Sequence, residues 1–467
     1  MPTDAPDATD LLAGFPLPTG DAWDDALRAE LGEAPFERLL WPVEPGVVLR
    51  PFHRADDADP ATPLQSALRA LQPGAPPALV PWAEAFEQPG AHVIDETAFS
   101  DAGAGAVEAL AATLALLADA LDGGARPGAI RVGVGPSVVP EAARLRALRL
   151  LAARVAKAFG VAAPPIHAVT SRFWMTRAAA HTNLLRGTLG ATAAFLGGAD
   201  ALTVRPHTLL AGAPSAHARR IADNVHHLLI HESHLGEGAP LAPGAYTLDV
   251  LTETLARAAW TRFGEIESAG GFARARGGIA AKIEAESAAL FKRIEAGRVS
   301  IVGTNRYADA ADRIGAASDN ALTPNALGLA RRRAAEPYEH LRAAIEAAGA
   351  PSVALLRFSE AMSSAARAGF ARGVFAVAGV AAVETASADE ARGAHLVVLC
   401  SSDAAYGDAG LALARTLTAA GGPLVYVAGP ETEHADALRE AGVTGFLHAK
   451  QPLLPTLRDL VGRLHAR

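Results

Sequence analysis

Short apolar runs alternate with longer alanine-rich stretches along most of this chain. In its first two thirds, the runs predict strands at residues 47–49, 92–94, 130–134, 166–169 and 201–204, while residues 226–230 fit a strand or a helix equally well. The stretches between them, such as residues 107–121 and 141–159, have the 3.6-residue period of helices and few β-branched residues. Successive βα units favour a parallel sheet, arranged as a barrel or as a doubly wound sheet.

The same alternation returns at a smaller scale in the C-terminal part of the chain. Apolar runs predict five strands at residues 353–356, 373–378, 395–399, 424–427 and 445–447. Five strands separated by helices within about 115 residues predict a flavodoxin-like parallel α/β domain.

The N-terminal residues 1–45 predict an arm that carries a short amphipathic helix. Trp23, Leu27 and Leu31 fall near helical spacing, and Asp21 is placed to cap the first turn. The apolar stripe of this helix could pack on its own chain or on a partner.

A helical connector is predicted over residues 304–350, between the predicted barrel part at 46–303 and the flavodoxin-like part at 351–467. Its helix signals lie around residues 330–348, where Pro337 breaks or restarts the helix. The triplet Arg331, Arg332 and Arg333 fits a solvated helix face or a contact between domains better than a ligand site.

Charge and cysteine content exclude several classes of protein. The chain has 42 Lys and Arg against 50 Asp and Glu, a formal charge of −8, and no dense basic run, so nucleic-acid binding is disfavoured. Charged residues recur too often for a transmembrane helix, and the acidic, Pro-rich N-terminus does not resemble a secretory signal. The single cysteine, Cys400, allows no intramolecular disulfide, fits a buried small hydrophobe better than a reactive thiol, and agrees with a cytoplasmic protein.

Polar residues that follow predicted strands are the candidates for chemistry in a barrel. His167 is followed by Thr170, Ser171 and Arg172, and it could be a general acid or, more often for a lone histidine, a structural residue. The second strand ends in Asp95, Glu96 and Thr97, but adjacent strand residues point to opposite faces, so a helix or loop edge is the better interpretation than a catalytic carboxylate pair.

The richest histidine cluster is His226, His227, His231 and His234, within HHLLIHESH. On a helix, His227 and His231 would share one face, with Glu232 beside the second. The run is not HExxH and offers no third ligand, so the hypothesis of a zinc site is weak, and no glycine pattern of a nucleotide-phosphate loop is present.

Several long blocks resemble the coenzyme-B12-dependent methylmalonyl-CoA mutase family, in the family's order. They are SRFWMTRAAAHTNLLRGTLGATAAFLGGADALTV (171–204), ARRIADNVHHLLIHESHLG (218–236), PGAYTLDVLTETLARAAW (243–260), EIESAGGF (265–272), PEAARLRALRLLAARV (140–155), VGTNRYAD (302–309) and RRAAEPYEHLR (332–342). The resemblance implies a TIM-type barrel that holds acyl-CoA in active members, followed by a flavodoxin-like domain that binds adenosylcobalamin.

The departures from this family's pattern fall on its functional positions. Active cobalamin domains carry DxHxxG, whose histidine ligates cobalt, whereas residues 355–373 contain no histidine. Active barrels read GYHMQEAG where this chain reads ETAFSDAG, which puts Ala98 at the histidine and Ser100 at the substrate-contacting glutamine. His167 matches the histidine of the family's HxQTSG motif, but Val169 replaces its glutamine.

Arg172 replaces the glycine of that motif, so we expect an arginine side chain in a channel shaped around glycine. Only about forty residues separate Phe52 from His92, where active mutases place several strands and the CoA-binding segment. We therefore expect an α/β chain with a degenerate or truncated TIM-type barrel, followed by a flavodoxin-like domain.

The resemblance is closest to the non-catalytic small (beta) subunit of a heterodimeric mutase. It implies that a large subunit supplies the adenosylcobalamin, the acyl-CoA pocket and the chemistry, while this chain pairs with it and the arm at 1–45 wraps the partner. No catalytic, cofactor-binding or metal residues are then expected, and His167 is a vestigial candidate. Two alternatives remain open, a divergent acyl-CoA mutase active on its own and an accessory protein that docks on a mutase.

Overall fold

The computed structural model describes residues 19–54, 57, 66–67, 75–86, 93–235, 245–314, 327–419 and 421–465. Within these residues the chain forms two five-stranded parallel sheets and one antiparallel two-stranded hairpin. Residues 1–18 of the predicted arm, and His92 of the second predicted strand, lie outside the described residues.

The strands are short and apolar. They are β1 Trp41–Glu44, β2 Val47–Leu49, β3 Ala78–Leu79, β4 Val93–Asp95, β5 Ala129–Val134, β6 Ile166–Thr170, β7 Ala201–Thr203, β8 Val353–Arg357, β9 Ala382–Thr385, β10 Leu396–Cys400, β11 Leu424–Ala428 and β12 Gly445–Leu447.

Helices connect and cover these strands. They are α1 Gly20–Leu31, α2 Trp82–Phe86, α3 Thr97–Ser100, α4 Ala106–Asp122, α5 Val138–Ala158, α6 Thr182–Leu196, α7 Ala216–His231, α8 Tyr246–Ser268, α9 Gly271–Glu295, α10 Glu336–Ala348, α11 Met362–Val377, α12 Ala388–Ala391, α13 Asp403–Ala405, α14 Leu411–Thr418, α15 Ala435–Glu440 and α16 Leu453–His465.

The first sheet has the order β3-β7-β6-β5-β4, and all its strands are parallel. From β4 to β7 each strand lies beside the next one in the chain, as in a (β/α) barrel. Strand β3 precedes β4 in the chain but lies beside β7, and the described strands form an open sheet rather than a closed barrel. The expectation of a truncated TIM-type domain is thereby confirmed.

The second sheet has the order β12-β11-β10-β8-β9. Numbered from β8, this is the 2-1-3-4-5 order of flavodoxin-like folds. Side chains of its central strands alternate between two apolar clusters, so both faces of the sheet are buried. Burial on both faces explains the unbroken apolar runs that predicted these strands.

One helix, α9, contributes to the cores of both sheets. Ile279 and Ile283 lie in the cluster that contains the outer face of the first sheet, together with residues of α4, α5 and α8. Two turns later, Phe291 and Ile294 lie in the cluster that contains one face of the second sheet. Tyr338 of α10 donates its hydroxyl to the Ile294 carbonyl oxygen, 2.9 Å away, which attaches α10 to the same helix.

Two predictions about individual elements are wrong, and one assignment that was left open is decided. Residues 373–378 were predicted as a strand, but residues 373–377 belong to α11. Ala368, Ala371 and Val374 continue one buried helical stripe into this run. The strand is β9 instead. The ambiguous residues 226–230 are helical, in α7. The helix predicted around 330–348 begins only at Glu336, with Pro337 in its first turn, so the three arginines before it are not on a helix face.

The N-terminal helix is present, but Thr19 rather than Asp21 is its cap, because the Thr19 hydroxyl accepts from the Ala22 N–H. No residue of α1 is buried. It rests on the segment after the hairpin through Trp23, whose ring centroid lies 5.2 Å from that of Phe52, and through an ion pair of Asp24 with Arg50. Among the described residues, no helix combines the length and apolarity that crossing a membrane requires.

Candidate functional site

The inner face of the first sheet, opposite the helices, carries a row of polar side chains. Asp95, Arg131 and His167 are register partners on β4, β5 and β6, so their side chains lie side by side on one face. In a barrel this face surrounds the axis.

His167 is fixed by a chain of two hydrogen bonds. The Thr203 hydroxyl donates its proton to the Val80 carbonyl oxygen at 2.7 Å. The hydroxyl oxygen of Thr203 therefore accepts from His167 Nε2, which lies 2.8 Å away. Burial, reinforced by the positive charge of Arg131, lowers the pKa of His167 to about 4. At neutral pH the imidazole is therefore uncharged and already uses its Nε2 proton within the protein.

A segment of the chain itself covers this inner face. Beyond the bond from Thr203 to Val80, the Arg131 guanidinium donates to the Ala85 carbonyl oxygen at 3.1 Å. The ring of Trp82, at the start of α2, lies 5.4 Å from the Arg205 guanidinium carbon. Residues 80–85 thus lie against this inner face.

Glu96 lies just past β4 and is completely buried. Its carboxylate accepts from the Gly133 N–H at 2.9 Å and from Arg144 of α5 at 2.8 Å. Burial raises the pKa of Glu96 to about 7, although the Arg144 charge opposes this change. Arg144 also bonds Glu141, so this carboxylate belongs to a closed ion-pair network rather than to an open site.

The neighbouring residues that were candidates take structural roles. Asp95 accepts from the Thr97 N–H and hydroxyl at the start of α3. Asp95 ends β4 and Glu96 lies immediately before α3, so their setting is the predicted helix or loop edge. Ala98 is buried, and the Ser100 hydroxyl donates to Glu96 at 3.3 Å. Val169 is fully buried within β6.

A cluster of charges lies beyond the carboxyl ends of β4, β6 and β7. Buried Asp101 faces Arg172, Arg205 and Arg331, whose positive charges oppose the rise in its pKa caused by burial. Arg205 also donates through Nε to the Thr170 carbonyl oxygen at 2.7 Å. Arg172 is half-buried in this cluster, and burial lowers its pKa.

An extended strap, residues 327–334, crosses the same end of the sheet. The Arg332 N–H donates to the Asp101 carbonyl oxygen at 2.6 Å, and the Ala334 N–H donates to that of Phe173 at 2.8 Å. Phe173 packs in turn on Phe291 of α9.

The three arginines of the strap each have a different partner. Arg331 lies 3.8 Å from Asp95, the Arg332 guanidinium lies over the Phe291 ring, and buried Arg333 pairs with Glu339 at 2.7 Å. Asp95 ends β4, Phe291 belongs to α9 and Glu339 to α10, and the three arginines precede the helix that begins at Glu336. The interpretation as a solvated helix face is therefore wrong.

A small, partly open pocket lies near the ends of β5 and β6. Its lining includes Gly135, Thr170, Ser171, Arg186 and Arg205. Neither His167 nor Glu96 lines this pocket.

The histidine cluster divides between the interior and the surface. His226 is buried and its Nε2 lies 2.7 Å from the Pro77 carbonyl oxygen, while the rings of exposed His227 and His231 stack at 6.1 Å. His234 and Glu232 are exposed after the helix. In the part of the chain that the structure describes, no three His, Cys, Asp or Glu side chains converge as a metal site would require.

The second sheet has its topological switch point between β8 and β10, where flavodoxin-like folds bind ligands. Here the hydroxyl groups of Ser359 and Ser401 lie 2.9 Å apart. The buried Tyr406 hydroxyl is hydrogen-bonded to the carbonyl oxygens of Leu399 and Ala428, at 3.1 and 2.8 Å, and accepts from the Ser401 N–H.

Arg367 of α11 lies beside the same switch point, near the end of β10. It donates to the Ser401 carbonyl oxygen at 2.6 Å, pairs with Asp403 at 2.7 Å, and lies over the Tyr406 ring. The crevice is therefore occupied by the chain's own side chains. Cys400, at the end of β10, is fully buried, and burial raises the pKa of its thiol to about 12, which agrees with an inert small side chain.

The sequence analysis did not identify Glu96 with Arg144, or Tyr406 with Arg367, as pairs. The sequence contained a signal for the pair of Glu96 and Arg144, because Arg144 falls among the buried positions of an alanine-rich helix, where an unpaired charge is not tolerated. No local pattern connects Tyr406 to two different strands.

Comparison with known proteins identifies the family of the chain. The sequence model of the family described as methylmalonyl-CoA mutase matches residues 91–373. The chain is 40% identical over 306 residues to the methylmalonyl-CoA mutase small subunit of Streptomyces virginiae, covering 62% of this chain and 50% of the relative. It is 33% identical over 409 residues to the probable small subunit of Mycobacterium tuberculosis, covering 80% and 64%.

A large subunit is also among the relatives. The methylmalonyl-CoA mutase large subunit of Propionibacterium freudenreichii subsp. shermanii is 31% identical over 182 residues, covering 38% of this chain and 25% of the relative. The chain spans between half and two thirds of the length of the small subunits that it matches. Because the family match extends over more than half of the chain, this protein belongs to the methylmalonyl-CoA mutase family.

Proposed function

We propose that this chain is a non-catalytic small subunit, which pairs with and stabilises the large, catalytic subunit of a methylmalonyl-CoA mutase. In this proposal the complex interconverts methylmalonyl-CoA and succinyl-CoA in the cytoplasm, and adenosylcobalamin is bound by the large subunit. The names of the similar small subunits support the assignment.

The observation that carries the proposal is the occupied crevice of the second sheet. Cobalamin would need a histidine near the end of β8 and open space beside β10, but residues 355–373 contain no histidine. Tyr406 joins the ends of β10 and β11 by its hydroxyl, and Arg367 lies across them. These residues do not fit adenosylcobalamin.

The first sheet supports the same proposal for the acyl-CoA substrate. Its inner face is covered by residues 80–85, and the strap at 327–334 crosses its carboxyl end. His167, the vestigial candidate, donates to Thr203 and has a pKa far below neutrality. We therefore assign no catalytic residue to this chain.

The division at 1–45, 46–303, 304–350 and 351–467 is part of the proposal, with residues 1–45 as the segment that contacts the large subunit. Support comes from α1, which has an apolar stripe of Trp23, Leu27 and Leu31 but no buried residue. A helix of this kind gains little from its own chain and has apolar surface left for a partner.

The test is an assay of the purified chain, the large subunit from the same organism, and their mixture, each with adenosylcobalamin and methylmalonyl-CoA. We expect succinyl-CoA from the mixture and none from this chain alone. Equilibrium dialysis with adenosylcobalamin should show cofactor retained by the large subunit only, and size-exclusion chromatography should show a stable 1:1 complex.

Two outcomes would support the alternatives instead. Succinyl-CoA formed by this chain alone would identify a divergent mutase. Association that is weak or transient, with full activity of the large subunit by itself, would identify an accessory protein.

A further inference from the structure

Two histidines of α7 lie on the protein surface one helical turn apart. His227 and His231 are both exposed, their ring centroids lie 6.1 Å apart, and their ring planes are 14° from parallel. Residues at positions i and i+4 share one face of a helix, with Cβ atoms about 5–6 Å apart. The helix therefore presents two imidazole rings to the same region of solvent, and we refer to these two side chains as the histidine pair.

The ring nitrogens of the histidine pair are not used by the protein itself. Within the part of the chain that the structure describes, both rings contact other rings but form no hydrogen bond or ion pair. The neighbouring His226 differs, because it is buried and its Nε2 lies 2.7 Å from the Pro77 carbonyl oxygen. The protein thus holds His226 in the interior, whereas each ring of the histidine pair keeps its nitrogens available to a ligand.

The charges around the histidine pair are mixed, and the negative ones are closer. Asp223 lies one turn before His227, and the interaction with His227 opposes the rise in the Asp223 pKa that burial causes. Exposed Glu232 directly follows the pair. The arginines of the helix, Arg219 and Arg220, lie about 10–12 Å before His227 along the axis. The nearest formal charges therefore favour the approach of a cation.

We propose that the histidine pair binds a divalent ion of the late first transition row, and Cu²⁺ more tightly than Ni²⁺ or Zn²⁺. Imidazole is the commonest metal ligand in proteins, and two histidines at i and i+4 supply two of the ligands in helical zinc motifs. Structural zinc centres have four protein ligands and catalytic centres three, so this pair is an open chelate in which water completes the coordination. The preference for copper follows the general order of stability for divalent ions. The site is independent of the proposed function and needs no partner subunit.

The test titrates the purified chain with CuCl₂ alone, in a buffer that does not bind copper, and measures affinity by isothermal titration calorimetry. His231→Ala removes one ring of the pair, and we expect the dissociation constant of the tightest copper site to rise at least tenfold. His340→Ala is the matched control, because His340 is an exposed histidine of α10 with no histidine one turn away, and we expect a change of less than twofold. Both positions are exposed, so thermal unfolding of the metal-free variants should stay within about 2 °C of the parent chain.

Electron paramagnetic resonance with one equivalent of Cu²⁺ identifies the ligands. The parent chain should show the splitting caused by two imidazole nitrogens, and His227→Ala and His231→Ala should each lose it. The double variant should bind copper no more weakly than either single variant, because the two rings act together. Copper binding by His231→Ala within twofold of the parent chain, an equal loss in His340→Ala, or a parent spectrum without two nitrogen ligands would each overturn the inference.

Discussion

At the scale of single residues, the groups that resemble catalytic machinery are held by the protein's own hydrogen bonds. His167 gives its Nε2 proton to Thr203, and Glu96 is enclosed by Arg144 and the Gly133 N–H. An acid or a base must exchange its proton with a substrate during turnover. Both groups are better understood as parts of the interior that stabilise the fold.

The burial of His167 predicts a specific dependence of stability on pH. Its pKa of about 4 lies below the value of about 6.5 expected in the unfolded chain, so the unfolded state takes up a proton first as pH falls. The stabilisation is complete above about pH 6.5 and is lost as pH falls toward 4. Between pH 7 and pH 5 the loss should be about 2 kcal/mol.

Urea unfolding at pH 7 and pH 5 measures this loss, with the variant His167→Gln as control. Glutamine can still donate to Thr203 but does not titrate, so the variant should lose about 2 kcal/mol less than the parent chain over the same interval. Equal losses in both proteins would show that His167 does not titrate in this range.

Because Glu96 and Arg144 form a buried ion pair, we expect the removal of one partner to lower the free energy of unfolding strongly. Arg144→Leu leaves a buried carboxylate without its counter-charge and should destabilise the chain by about 3–5 kcal/mol in urea unfolding at pH 8. Arg257→Leu removes an exposed ion pair with Glu253 and should cost less than about 1 kcal/mol. Equal losses of stability in the two variants would show that the buried ion pair stabilises the fold no more than the exposed one does.

Residue-level features were predictable from the sequence where they depend on neighbours in the chain. The setting of Asp95 and Glu96 at the edge of a helix was predictable, because Asp95 ends β4 and Glu96 lies immediately before α3. The bonds of Tyr406 to Leu399 and Ala428 depend on two strands that meet only in the folded sheet. No spacing in the sequence encodes such a contact.

At the scale of elements, α9 is the structural connection between the two sheets. Its N-terminal half packs with the first core and its C-terminal half with the second, and Ser287 lies between them. A continuous helix transmits orientation because its backbone hydrogen bonds resist bending. The relative placement of the two cores therefore depends on the integrity of this helix.

Breaking α9 between the two cores should separate their unfolding. Ser287→Pro removes a helical hydrogen bond and should cost about 3 kcal/mol or more. We expect calorimetry to resolve two transitions in place of one, whereas Ser287→Ala at the same position should keep a single transition. A single transition in the proline variant would contradict the role assigned to α9.

Unlike the breaking of α9, removal of helix α1 should have little effect on the stability of the isolated chain, because none of its residues is buried. Deletion of residues 1–33 should change the melting temperature of the isolated chain by less than about 3 °C, since little apolar area is lost from the core. The same deletion should weaken association with the large subunit at least tenfold, measured by titration calorimetry. A deletion that unfolds the chain would show that α1 serves the fold rather than the partner.

The elements that the sequence analysis misplaced are those in which two periodicities compete. The run at 373–378 looks like a strand in isolation but completes the buried stripe of α11, while β9 is a short edge strand with exposed Val383 and Glu384 in its middle. Central strands such as β10 and β11 are unbroken apolar runs and were placed within a residue or two. A strand buried on both faces is an unbroken apolar run that the sequence reveals. An edge strand contains exposed positions and is therefore harder to predict.

At the scale of the whole molecule, the chain's own residues occupy three regions. Residues 80–85 lie against the inner face of the first sheet, the strap at 327–334 crosses its carboxyl end, and Arg367 lies beside the crevice of the second sheet. The family resemblance predicted the two α/β units in the right order. It did not predict that residues 80–85 fill the inner face, because the sequence between Phe52 and His92 has no counterpart in the family pattern to follow.

The position of β3 beside β7 has a consequence for how the chain acquires its structure. About 120 residues separate Leu79 from Leu202, its register partner, so this pairing is among the least local in the first sheet. Contacts of long sequence separation form late and slow the folding reaction. During synthesis on the ribosome, β4, β5 and β6 can assemble before β7 has emerged, whereas β3 must wait for it. We therefore expect the nascent protein to pass through a stage in which Arg131 and His167 are open to solvent, and residues 80–85 to pack against this face last.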